Sequence, residues 1–215
     1  MISIRNRTLY LLKLYAIYLY YSARSLRLAS KCLKSLVRRS HVAIWKWLQC
    51  IDINDFVIDR RREKKRIRSI MIDESMITVK GEVYWLWIAY EPYINKYLLM
   101  YISKERTVLI CYNFIKRLKR LYGSKYTIYT DGAHYYNQAC RWLRIRHVVY
   151  DDKDKNVMER AIQYIKDRTE CFDDNFPCKD KCSKEHVKNW FRGFMTYLNV
   201  KIDLSKFIMK LMDDG

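Results

Sequence analysis

Between residues 69 and 103 the chain runs as three apolar and β-branched stretches, broken at Lys80-Gly81 and around Glu91-Pro92, the pattern of an antiparallel meander. Before it, residues 1 to 56 hold apolar positions at helical spacing with neither proline nor glycine, and predict helices. After it, Val108, Cys111, Ile115 and Leu118 mark one face of a helix over about 104–121. "KYTIYT" then predicts a fourth strand, 133–143 a helix, and "IRHVVY" a fifth strand. A long helix over 155–171 and a helical segment after Ser183 complete the series.

Three meander strands followed by alternating helices and strands is the order of a ribonuclease-H-like α/β domain, a mixed five-stranded sheet with helices. The reading therefore divides the chain into a helical unit at 1–56, a basic linker at 57–68 and the α/β domain at 69–215. Within the first unit, "SARSLRLASKCLKSLVRRSHVAIWKWLQ" splits into two short amphipathic segments. Leu26, Ala29, Cys32 and Leu33 form one stripe, Val37 to Arg39 a connection, and Ser40 the N-cap of a second helix with Ile44, Trp45 and Leu48 inward. This is helix-turn-helix geometry, and it presents Arg38, Arg39, His41 and Lys46 where phosphates or base edges could be met. Arg61 and Arg62, in the run "DRRREKKRIRS", lie where a duplex leaving that unit would pass.

Charge sharpens this picture. Lys and Arg number 42 against 23 Asp and Glu, and residues 1 to 70 hold 17 basic and 4 acidic residues, with no acid before Asp52. A block that cannot neutralise itself calls for a polyanion, and double-stranded DNA fits best. The apolar run "LYLLKLYAIYLYY" is too short to span a membrane, carries Lys13 and lacks a small-residue cleavage site, so it reads as a buried helix. Seven scattered cysteines point to reduced thiols and a cytoplasmic, nucleoid-associated protein. Cys171, Cys178, Cys182 and His186 could be arranged as a zinc site, but their irregular intervals favour ordinary thiols.

Three carboxylates stand out. Asp73 sits in mid-strand on the same side as Met71, Ser75 and Ile77; Asp131 caps the fourth strand before Gly132; Glu159 lies beside the stripe Met158, Ile162 and Ile165. In the predicted fold the first and fourth strands are neighbours and the long helix covers them, so the acids converge. Like charges brought together need a cation, and hard oxygen ligands suit Mg²⁺ or Mn²⁺, two ions per site, for in-line displacement at phosphorus. Lys166, two helical turns beyond Glu159, could hold a phosphate beside the ions. Each acid also has a plainer reading: Asp131-Gly132 as a turn pair, and Asn156 with Glu159 as a capping box.

"IDES", "YWLW", "YTDGAHYY", "NVMERAIQYIKDRTECFDDNFPC" and "VKNWFRGFMTYLN" resemble the DDE transposases of small insertion sequences, especially archaeal members of the IS-six family. "RSHVAIWKWLQ" resembles that family's helix-turn-helix, so the likeness covers nearly the whole chain. The resemblance implies Asp73, Asp131 and Glu159 as the metal-binding catalytic triad and Lys166 as the basic residue that follows it. It further implies cleavage at terminal inverted repeats to free a 3′-hydroxyl, then strand transfer into target DNA by a dimer. Glu91 stands where relatives often show an aspartate and is read as non-catalytic. The rival readings are a non-catalytic, decayed transposase that only binds DNA, and a nuclease of the same fold.

Overall fold

The meander forms as its alternation predicts: β1 (Ser69–Val79), β2 (Glu82–Glu91) and β3 (Lys96–Ser103) pair antiparallel in sequence order. Gly81, at φ +74°, supplies the left-handed residue that closes the first turn. The computed structural model describes residues 8–50, 67–79, 81–169 and 183–213, so Arg61, Arg62, Cys171, Cys178 and Cys182 lie outside the described residues. Two shorter strands, β4 (Thr127–Thr130) and β5 (His147–Val149), join in parallel and complete the sheet order β3-β2-β1-β4-β5. That order, with β1 central and parallel to β4, is the ribonuclease-H-like arrangement.

Helices cover both faces. α4 (Val108–Tyr122), capped by Thr107, and α5 (His134–Leu143) bury Phe114, Ile115, Leu118, Tyr136 and Ala139 against Ile70, Ile72, Trp87 and Ile128. On the opposite face lie α6 (Asp152–Thr169) and α7 (Lys184–Asp213). The capping residue of α6 is Asp151, whose Oδ1 accepts the Asp154 N–H at 2.9 Å, so the helix begins three residues earlier than its apolar stripe suggests. β4 and β5 are shorter than the runs that predicted them.

The N-terminal helices share the second core. α1 (Tyr10–Ala23), α2 (Leu26–Leu33) and α3 (His41–Cys50) contribute Ile17, Tyr21, Leu33, Ile44 and Leu48 to one cluster with Met158, Ile162, Trp190 and Phe194. Tyr21 donates its hydroxyl to the Trp190 carbonyl at 2.7 Å, and Trp190 Nε1 donates to the Tyr20 hydroxyl at 2.8 Å. A side chain at Gly193 would meet the Tyr21 hydroxyl at 2.5 Å, so glycine is what lets α7 approach α1 this closely. Ser40 caps α3 as read, accepting the Ala43 N–H, but Cys32 is exposed rather than part of the inner stripe, because it is turned about 100° around α2 from the buried Leu33.

Candidate active site

Strand register places the first two acids. β1 pairs with β4 through Met71 opposite Tyr129, and extending that register by two residues brings Asp73 level with Asp131. Met71 faces the α6 side of the sheet, so the two-residue period puts Asp73 on that side, while Asp131 follows the last residue of β4. Asp73, Glu159 and Lys166 line one open cleft of about 780 Å³, together with Asn156 and Gln163. Asp131 stands exposed beside it, near enough to act on Asp73.

The electrostatics follow from burial. Asp73 is half-buried, and its carboxyl is pushed up to about 7, first by burial and then by the neighbouring Glu74 charge. Asp131 raises it further; the Glu74 N–H, which donates to Asp73 Oδ1 at 2.8 Å, and the Lys166 ammonium pull it down. Tyr150, one residue past β5, feels the same field: burial and then Asp73, Asp131, Glu74 and Glu159 all hold its phenol protonated. Among the described residues, however, no three His, Cys, Asp or Glu side chains are gathered closely enough to hold an ion, so the acids form an open face rather than a closed cage.

The plainer readings fare unequally. Asp131 does make the turn, its Oδ1 accepting the Ala133 N–H at 3.0 Å, while Gly132 takes φ +87°. A Cβ at Gly132 would meet the Val149 methyls at 3.1 and 3.2 Å, so both backbone and neighbour demand glycine. Gly132→Ala is expected to lower stability by about 1–3 kcal/mol and to displace Asp131, which denaturant unfolding and an activity assay would register. The capping box does not form: Asn156 and Glu159 lie inside α6, and Glu159 instead sits 3.9 Å from Lys155 across one helical turn.

The other sequence-read residues fall in three places. Arg38, His41 and Lys46 are exposed on α3 or just before it. Arg39 is half-buried, its Nε donating to the Thr8 hydroxyl at 2.7 Å, so it also ties down the start of α1. His186 is half-buried at the start of α7, edge-on to Trp45 and accepting the Ser183 N–H. Glu91 is fully buried away from the cleft; its Oε2 accepts the Ile94 N–H and closes the β2–β3 turn. Missed by the sequence reading was Glu74, whose side chain is 2% exposed and points to the opposite face from Asp73. An acid at an apolar position of the strand was its available signal.

Residues 67–201 match the family model of the DDE domain of IS240-type transposases. The uncharacterized protein MJ0017 of Methanocaldococcus jannaschii is 28% identical over 195 residues, spanning 91% of this chain and 88% of that protein. Among solved structures, the catalytic core domain of BIV integrase aligns with a TM-score of 0.44 at 16% identity, covering 67% of this chain and 98% of that one. The HTLV-2 integrase catalytic core domain in complex with magnesium aligns with a TM-score of 0.45 at 15% identity, covering 60% and 84%. Because the family match runs over more than half its length and includes all three acids, the chain belongs to the IS-six family of DDE transposases.

Proposed function

We propose that Asp73, Asp131 and Glu159 hold two divalent cations, Mg²⁺ or Mn²⁺, and that this chain uses them to cleave DNA at the element's terminal inverted repeats and to join the freed 3′-hydroxyl to target DNA. The family to which the chain belongs is one of metal-dependent polynucleotidyl transferases acting in DNA transposition. The observation that supports the assignment is the β1–β4 register, which, continued two residues past its last pair, would bring Asp131 level with Asp73, the acid that lines one cleft with Glu159 and Lys166. The donor set fits hard cations: it is all carboxylate, and the half-buried Asp73 is held partly protonated near neutral pH by burial and neighbouring anions, a state that a cation would reverse. When bound, such ions supply activation of the attacking oxygen and stabilisation of the leaving one. The chain's own share is to aim the carboxylates and to place the Lys166 ammonium against a phosphate oxygen.

DNA reaches the site through the basic N-terminal helices. Lys31, Lys34, Arg38 and Arg39 line a surface pocket of about 340 Å³ with Ser30 and Ser40, and no carboxylate shares it. This supports Arg38 and Arg39 as phosphate contacts; His41 and Lys46, exposed on α3, complete the proposed reading set, and Arg61 and Arg62 are proposed from the sequence alone. Two copies working on paired ends would place one catalytic face at each. Replacing Lys31 and Lys34 together by Ala is expected to weaken binding to end DNA and to random duplex alike, and to reduce the slope of log affinity against log salt by about two. Fluorescence anisotropy across a salt series checks this; an unchanged slope would place the duplex elsewhere. Among the described residues no helix is long and apolar enough to cross a membrane.

A further inference from the structure

Strand alternation turns the residue after Asp73 and the residue before Asp131 to the face away from the cleft; the first turn of α5 meets Glu74 directly and Thr130 by way of His147 on β5. Glu74 accepts hydrogen bonds from the hydroxyls of Tyr135 and Tyr136, and Arg106 Nη1 approaches its Oε1 at 3.0 Å. A carboxylate this deeply buried is tolerable only because it is so fully satisfied. Thr130, on the other strand, accepts the Gly132 N–H at 3.2 Å and lies 2.8 Å from His147 Nε2. The other ring nitrogen, His147 Nδ1, lies 2.7 Å from Asn137 Oδ1. Because that oxygen only accepts, Nδ1 carries a proton, and in the neutral ring Nε2 accepts the Thr130 hydroxyl. Burial, which lowers the proton affinity of this ring, agrees with that state; Asp131 opposes it.

Tyr135, Tyr136 and Asn137 are consecutive, so a single helical turn grips β1 through Glu74 and holds His147 of β5, which in turn meets Thr130 of β4. Arg106 reinforces the grip by stacking over Trp85 at 4.3 Å and over Tyr135 at 5.7 Å. The sheet itself pairs β1 with β4 only as far as Met71 and Tyr129, two residues short of the acids. Beyond that point the α5 contacts are what hold the two strand ends at a fixed spacing.

We propose that this turn of α5 is a positioning device for the metal site: through Glu74 of β1 and, by way of His147 of β5, through Thr130 of β4, it sets the separation of the Asp73 and Asp131 carboxylates. The proposal rests on the reading of those acids as metal ligands. It makes Glu74, Tyr135, Asn137 and His147 positioning residues, felt as a change in metal affinity ahead of any change in fold.

The test is a Mn²⁺ titration of the full chain, read both as the rise in thermal unfolding midpoint and as strand transfer of a pre-cleaved end. Asn137 is exposed and uses only its oxygen here, so Asn137→Ala should fold normally, with a metal-free midpoint within about 2 °C of wild type. It should need about tenfold more Mn²⁺ for half-saturation, as outer-shell substitutions typically do, and recover most of its rate at saturating metal. Asn137→Asp keeps the acceptor and should return the half-saturation to within about threefold of wild type. Tyr135→Phe, which removes one hydroxyl from Glu74, should raise it in the same direction. Unchanged half-saturation in both Asn137→Ala and Tyr135→Phe would overturn the device while leaving the acids' role intact. A metal-free midpoint that falls in step with activity at every Mn²⁺ concentration would also overturn it, as the mark of a purely structural role. A wild-type chain whose midpoint and activity ignore Mn²⁺ would overturn the device together with the reading beneath it.

Discussion

Asp73→Asn is expected to reduce strand transfer by about a thousandfold or more while leaving affinity for end DNA within about twofold. Metal ions stabilise the transferring phosphoryl group by several kcal/mol, and each 1.4 kcal/mol is a factor of about ten in rate, so loss of a ligand shared by the site costs about three decades. The fold should tolerate the change. Asn matches the protonated acid in shape, and its oxygen can still accept the Glu74 N–H that now donates to Asp73 at 2.8 Å. On the proposed reading DNA affinity rests on the basic N-terminal helices and not on this residue. A strand-transfer assay beside an anisotropy titration separates the two effects; equal losses in both would mean that Asp73 holds the fold instead of the chemistry.

The same substitution is expected to remove this residue's contribution to the pH dependence of stability. Asp73 titrates near 7 in the folded chain against 3.8 when unperturbed, with burial the main cause. Below about pH 4 the acid is protonated in both states and favours neither. As the pH rises from about 4 toward 7 the unfolded chain releases its proton first, so the wild type loses stability over that window and levels off above it. Asp73→Asn has no proton to release there. In a chelator at pH 8 it should therefore be at least as stable as the wild type, and the difference between them should shrink at pH 5. Adding Mg²⁺ at pH 8 should invert the order, because only the wild type gains a bound cation. Thermal unfolding at pH 5 and 8, with chelator and with Mg²⁺, checks each step; a wild type more stable than the variant in chelator at pH 8 would show that burial does not strain this carboxylate.

Much of this site was legible because strand periodicity fixes faces. The alternation of Met71, Asp73, Ser75 and Ile77 puts Asp73 on one side of β1 whatever the partner strands, and the apolar stripe of Met158, Ile162 and Ile165 fixes which side of α6 meets the core. The plainer reading of Glu159 as a capping residue failed because Asp151, outside the apolar stripe, starts the helix. What periodicity does not carry is partnership over long separations. Glu74 and the Tyr135–Tyr136 pair lie about sixty residues apart, and Tyr21 and Trp190 are 169 apart; each residue looks like an ordinary strand or helix position until the chain closes on itself. For the same reason, the sharing of one core between α1–α3 and α7 could not be read from the helical pattern of residues 1 to 56, which shows apolar faces without showing what they cover.

Glu159 offers the most direct test of the catalytic assignment, because it is exposed, sits on a different element from the two aspartates and lies 3.9 Å from Lys155 across the helix surface. Its removal should leave folding and end binding untouched. Purified protein, Mg²⁺ and a labelled pre-cleaved element end should give strand-transfer product with the wild type, none in chelator, and none with Glu159→Gln at any Mg²⁺ concentration. Metal-dependent transfer that survives in Glu159→Gln would remove this residue from the site and with it the three-carboxylate account.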